Sequence, residues 1–366
     1  MSDLAKHKEY LFNQLQTAIE LEHSTIPTYL SAMFTIDENT NYDAYYAIRS
    51  VVMEEMLHMT LACNILNAVG GAPYIDNPKF VPEFPLQANW GDRSFEIGLV
   101  KFSKEAIETF LEIEKPDEQK ITAGPQEHFL MANDFNLKEN TIGDFYDHIQ
   151  AYMEHLCNVY GEDAVFDGEP SKQIGPEQYY GGGGKVTVVT CFEDAVDAMR
   201  TIKDQGEGSP GSIWDGDHTY FDQNEEVAHY FMFNQIMLER YYQPGDRPKD
   251  PPTGKKMEVR WDLAANMVSN PKAEHFPEGS EARQKADEFN NMYSNFLHLL
   301  HHTFNGDPDS MQQAVLIMYK LKYLALELLN IPIGDGKVAG PPFQFVPQEL
   351  RKKVVVMHPP RSTEEC

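Results

Sequence analysis

Cysteine is scarce in this chain. Cys63, Cys157, Cys191 and Cys366 are scattered over 366 positions with no CxxC spacing. That argues against a disulfide framework and fits a reducing compartment. Cations are scarce as well: 30 Lys and Arg face 57 Asp and Glu, a formal net charge of −27. A surface this acidic repels nucleic acid and anionic membrane, so neither is expected as a partner. No apolar run approaches the ~20 residues of a membrane span. The opening "MSDLAKHKEYLF" carries charges and no apolar stretch of the signal-peptide kind, so a cytoplasmic protein is expected.

What the chain does have is helical periodicity. Apolar residues recur at three- and four-residue spacing through Leu11, Leu15, Ala18, Ile26, Tyr29 and Met33, which predicts a helix over about 3–35 that contains Pro27. A second helix runs from about Asn41 to Val69 and stops at Gly70 and Gly71. "SKEAIETFLEIE" reads as a short helix with Ser103 as its cap. A third major helix covers about 141–160 and a fourth about 218–242. Two more, about 280–304 and 308–330, are separated by the turn "NGDP". Between them, "YYGGGGKVTVVT" suggests a turn and a short strand, followed by a small helix near 192–204. The expected fold is all-α: a bundle in a single domain over 1–343, with insertions at about 72–140, 161–215 and 243–279. Residues 344–366 form an extended tail. Loops this long are usually functional.

Several helices carry charge where apolar residues belong. In the second, the seam Ile48, Val52, Glu55, Met59, Ala62, Leu66 includes a carboxylate, with His58 beside it. Glu54 falls on another face with Ala47, Ser50 and Leu61. In the first helix Glu22 takes a seam position after Leu15 and Ala18. The fourth repeats the spacing as Glu226-x-x-His229. The third offers Asp144 or Asp147, and Asp144 shares a face with His148, Ala151 and His155. A buried, unpaired carboxylate costs several kcal/mol, so four at one level require cations. Two divalent metals balance four carboxylates. One carboxylate from each of two helices and a Glu-x-x-His from each of two others is the inward-facing ligand set of dimetal bundles. The predicted ligands are Glu22, Glu55, His58, Asp144, Glu226 and His229. Mixed carboxylate and imidazole donors suit iron, or else manganese, better than zinc.

A single Glu-x-x-His is weak, and most such pairs are ordinary helix residues; two copies with a preceding seam carboxylate outweigh that reading. Other signals stay bland. "GGGGKV" lacks the residues and the following helix of a phosphate loop. "DGDHTYFDQNEE" mimics a calcium loop, but Tyr220 stands where glycine is required. His298, His301 and His302 read as a polar face. Tyr29 reads as a packed residue with its hydroxyl bonded, although it and His148 are the further side chains within reach of the metals. The 16 methionines read as core filler.

The segments "AIELEHSTIPTYLSAMF", "IRSVVMEEMLHMTLACNILNAVGGAP", "KEAIETFLEIE", "TIGDFYDHI", "HYFMFNQI" and "AGPPF" resemble the ferritin-like family named for iminophenyl-pyruvate dimer synthase. They span nearly the whole chain to about residue 343. The resemblance implies a ferritin-like four-helix bundle with two additional C-terminal helices. It puts the metal residues at Glu22, Glu55, His58, Glu226 and His229. The family's third-helix carboxylate is usually Glu in a "GEFY"-like motif; this chain has Asp144 in "GDFY", one methylene shorter. The implied activity is that of a non-haem dimetal oxidase or oxygenase using O2 on a small aromatic or amino-acid-derived molecule, in secondary metabolism. The insertions 72–100 and 161–215 would form its pocket. The alternative is an iron-binding protein without organic substrate turnover. The expected partner is a small-molecule substrate, with a homo-oligomer left open.

Overall fold

The computed structural model describes residues 3–116, 135–137, 139, 141–209, 211–216 and 226–351. The calcium-loop mimic around Asp217 and Tyr220, and the chain beyond residue 351, lie outside them. Helices dominate: α1 (Asp3–Phe34), α2 (Tyr42–Ala68), α3 (Lys104–Ile113), α4 (Ile142–Tyr160), the one-turn α5 (Glu162–Val165), α6 (Phe192–Glu207), α7 (His229–Leu238), α8 (Glu281–Thr303) and α9 (Met311–Leu329). Strands are short. β1 (Leu86–Trp90) pairs antiparallel with β2 (Arg93–Ile97) and parallel with β3 (Phe135–Leu137). β4 (Pro332–Gly334) and β5 (Lys337–Val338) make a small hairpin. The fold is all-α, as the periodicity predicts.

Local chemistry sets the helix ends. Ser103 accepts from the Ala106 N–H and starts α3; Thr141 does the same for Asp144 N–H at α4. α2 ends as its sequence suggests. Gly70 takes φ +85°, and Gly71 N–H returns to the Leu66 carbonyl at 2.9 Å. Around residues 181–191 no strand forms among the described residues. That segment runs instead along α2, where Asn64 Nδ2 bonds the Ile174 and Thr187 carbonyls.

The bundle is assembled differently from the reading of four long helices. α1 and α2 pack together; α4 packs on α1 and α6; α6 and α7 pack on α2; α3 packs on α7. The third and fourth bundle positions are therefore each filled by two shorter helices, α3 with α4 and α6 with α7. Of the expected fourth helix over 218–242, the described residues 226–242 form only α7, ten residues long and starting after Ala228. Its other half, α6, and the first half of the third position, α3, come from segments read as insertions. The ends of these half-helices meet beside Glu22, Glu55 and His58. α8 and α9 pair with each other and lie against the outer side of α1 and α2.

Candidate metal centre

Glu55 is the middle of the site. On α2 it projects inward one turn before His58, and both are buried. From α1, Glu22 Oε2 lies 3.6 Å from His58 Nδ1, and Glu55 Oε1 lies 3.9 Å from it. His229, the first residue of α7, brings Nδ1 to 3.0 Å from the same Glu55 Oε1. The second oxygen near His229 Nδ1 belongs to Glu114, at 3.5 Å, where α3 ends. The two imidazoles stack with centroids 5.3 Å apart. Glu55, His58 and His229 thus converge on one point, with Glu22 on one side and Glu114 on the other.

Every outward-turned polar atom of this set has a partner. Tyr146 hydroxyl donates to Glu22 Oε1 (2.6 Å), Thr25 hydroxyl to Glu55 Oε2 (2.7 Å), and Tyr29 hydroxyl to Glu114 Oε1. His58 Nε2 faces Gln205 Oε1 at 2.8 Å, and His229 Nε2 faces Glu54 Oε2 at 2.7 Å. Those contacts make each Nε2 the protonated nitrogen and leave each Nδ1 lone pair turned inward. Gln205 is fixed in turn by donating Nε2–H to the Gly183 carbonyl (2.9 Å). Gly183, at φ +77°, passes so close to α2 that a Cβ would stand 2.4 Å from the Met53 carbonyl oxygen. The glycine run therefore serves a close backbone approach.

The inward atoms are the unresolved part. His229 Nδ1 is buried between two carboxylate oxygens and aligned with neither for a hydrogen bond. Without a cation the cluster is electrostatically strained. Burial, then the Glu114 charge, pushes the Glu55 carboxyl up to about 7. Burial likewise raises Glu54. For His229, burial pulls the imidazole down, but the surrounding carboxylates, Glu114 foremost, carry it well above its ordinary value. His58 is raised by Glu22 against the same burial. Tyr29 and Tyr146 are driven far up by burial and by Glu114 and Glu22, so both stay protonated donors. Divalent cations would relieve this crowding of charge, and the five inward donors, three carboxylates and two imidazoles, are of the type that holds them.

Four predicted ligands meet here: Glu22, Glu55, His58 and His229. Asp144 and Glu226 are placed elsewhere. Asp144 is half-buried in the first turn of α4, on the face whose later members Asp147, Ala151 and His155 are exposed. Asp147 pairs with Lys203 at 2.5 Å. The α4 side chain seen at the cluster is Tyr146. Glu226 precedes α7, in the segment where Trp214 and Val227 form a bridge, so helical three-residue spacing does not apply to it. Its Oε2 accepts from Ser50 hydroxyl at 2.6 Å. Tyr29 reaches the cluster; His148 instead meets the Tyr10 hydroxyl at 3.1 Å. The sequence reading missed Glu114, Glu54 and Gln205. Glu114 had a signal: it continues the seam Ile107, Phe110 of α3 at four-residue spacing.

A void of about 10 Å³ touches the cluster, bounded by the ends of α3 and α6 and the start of α4. Insertion 72–100 does not line it; Ile202, Lys203, Gly206 and Glu207 of α6 do. Glu207 Oε1 accepts from Gly143 N–H (2.8 Å) and closes the seam between α6 and α4.

Known proteins bear out the architecture. The ferritin-like family profile matches residues 15–238. Dichlorochromopyrrolate synthase of Lentzea aerocolonigenes is 24% identical over 342 positions, covering 84% of this chain but 30% of that protein. The chain is thus similar to less than a third of that relative's length. The crystal structure of a ferritin-like protein from Caulobacter vibrioides shares the fold, with a TM-score of 0.58, 24% identity, and coverage of 91% of this chain and 98% of the other. With a family match over more than half its length, this chain belongs to the ferritin-like family.

Proposed function

We propose that the cluster holds two divalent metal ions, iron in the first instance with manganese as the alternative, and that the protein is an oxidase or oxygenase using O2. The observation that carries the reading is the paired geometry around Glu55 Oε1. Glu22 and His58 stand on one side of it, Glu114 and His229 on the other. Counting Glu54 behind His229, four buried carboxylates match the charge of two divalent ions. When bound, such a pair would supply O2 activation and the electrons for it. The chain's residues supply the rest. Glu55, with Glu22 and His58 on one side and Glu114 and His229 on the other, would hold the ions. Tyr146, Thr25 and Tyr29 hold the outer carboxylate oxygens, so that one oxygen of each stays inward. The N-termini of α4 and α7 lie beside this negative cluster, where their dipoles are favourable. The substrate we assign is a small aromatic or amino-acid-derived molecule. Support comes from the likeness to dichlorochromopyrrolate synthase, which extends over a fraction of that enzyme.

One observation favours a second reading, an iron-binding protein without organic turnover. The void at the cluster has room for about one water-sized molecule among the described residues. Anaerobic iron loading, metal analysis and O2 uptake with a panel of aromatic amino and imino acids separate the two. About two metals per chain with an organic product supports the oxidase. Loading with O2 uptake and no product supports the second reading. Failure to load overturns both.

A further inference from the structure

A cavity much larger than the void at the cluster lies away from the metal centre. About 200 Å³ in volume, it lies on the other side of α1 and α2, under α8 and α9. Helical geometry separates the two. On α1, Glu22, Thr25 and Tyr29 face the cluster, while His23, Ile26 and Leu30 face the cavity. Six of the 16 methionines line it: Met33, Met53, Met56, Met59, Met311 and Met318. Such a concentration goes beyond core filling, since unbranched thioethers make a wall that adapts to a flexible apolar guest. The polarity is graded. At the inner wall Tyr293 hydroxyl bonds His23 Nε2 at 2.7 Å, and burial holds His23 at about 3, so this pair is neutral. At the open edge stand two cations, Arg49 and Lys322, close enough to repel each other. Arg49 is exposed, and Tyr319 beside them is 59% exposed. Lys322 Nζ donates to the Tyr45 hydroxyl (2.9 Å) and has Glu38 only at 4.0 Å. In a chain of net charge −27, two adjacent cations at the rim of an apolar hole are an unusual placement.

We propose that this cavity binds an amphiphile with an apolar tail and a single carboxylate, the tail among the methionines and the carboxylate between Arg49 and Lys322. The guanidinium and ammonium offer a fork and a point charge to one carboxylate, which relieves their mutual repulsion. The tail removes apolar wall from water. The site is independent of the metal reading.

Calorimetric titration of the full chain with decanoate and with 1-decanol tests it. Decanoate should bind saturably. Arg49→Gln with Lys322→Gln, both at the open edge, should weaken decanoate by about tenfold or more and leave decanol nearly unchanged. Ala314→Phe, which fills the cavity, should weaken both; unaltered circular dichroism and melting behaviour would separate filling from misfolding. No saturable decanoate binding to the wild-type chain overturns the proposal. So does an equal loss for decanoate and decanol in the double charge variant, or undiminished binding to a folded Ala314→Phe. Co-sedimentation with phosphatidylglycerol vesicles that depends on Arg49 and Lys322 would transfer the carboxylate's role to a lipid surface, and would also overturn it.

Discussion

The two imidazoles of the cluster are held by unlike partners, and that difference has a measurable consequence. His229 Nε2 faces a carboxylate, Glu54 Oε2, at 2.7 Å; His58 Nε2 faces a neutral amide, Gln205 Oε1, at 2.8 Å. All four side chains are buried, so water does not screen the difference. A carboxylate behind an imidazole makes its other nitrogen the stronger donor. Glu54→Gln keeps the shape and an acceptor oxygen but removes the charge. Loss of an outer partner of this kind lowers metal affinity roughly 10–100-fold, or about 1.4–2.7 kcal/mol. We expect the upper part of that range, because the Glu54–His229 contact is fully desolvated, and we expect it in one binding step only. Anaerobic titration of Fe(II) against a competing chelator resolves the steps. Gln205→Glu is not a clean mirror, since Gln205 also donates to the Gly183 carbonyl. The reasoning is refuted if Glu54→Gln binds both equivalents as tightly as wild type, or if both steps weaken equally.

Three further outcomes follow from the geometry. Glu114→Ala should weaken metal binding by more than the roughly 10–100-fold of an outer partner, while Asp144→Ala leaves it near wild type; equal losses by metal analysis would restore Asp144 as a ligand. In metal-free protein, Glu55 is raised from 4.5 to about 7 by folding, so its contribution to stability is fully present below about 4.5 and is lost as pH rises through 7. Relative to Glu55→Gln, chelated wild type should therefore lose on the order of 3 kcal/mol between pH 4.5 and 8 in urea unfolding, and parallel pH profiles would contradict this. Gly183→Ala forces a Cβ to 2.4 Å from the Met53 carbonyl oxygen at φ +77°. It should destabilise the protein by about 1–3 kcal/mol in denaturant titration, and an unchanged midpoint would show that the loop gives way freely.

How much of the site could be read in advance depends on what each residue's neighbours reveal. Glu22, Glu55 and His58 interrupt apolar seams inside long continuous helices, where periodicity is strong. Glu54 sits one position from the seam, and a wheel assigns that position to a flank. But α1, α6, α7 and the segment near 174–189 enclose α2 on nearly every side: Val51, Val52, Glu54 and Glu55 are buried, Met53 and Met56 are half-buried, and from Leu57 to Ala68 every residue is buried. A helix enclosed in this way has no polar flank to assign. Glu54 is therefore as much an interior residue as Glu55, and only the tertiary partner, His229, gives it a role.

Glu114 and Glu226 show a different limit. Periodicity identifies each helix but not which helices share one position in a bundle. The ferritin-like arrangement implies four continuous helices, which places the third carboxylate in the helix that begins near Thr141 and the fourth beside His229. In the structure the third and fourth positions are divided, and their ends meet at the cluster. A division there has a physical rationale. The end of α3 delivers Glu114 from the C-cap position, and the start of α7 delivers His229 from the first turn. Residues at helix ends are not tied to three- and four-residue spacing along one axis, so the ligand set can keep its geometry while the motif spacing dissolves. Where a bundle helix is broken at its functional level, the seam carboxylate at the end of a short preceding helix is the stronger candidate than an acidic residue in the first turn of the long helix that follows.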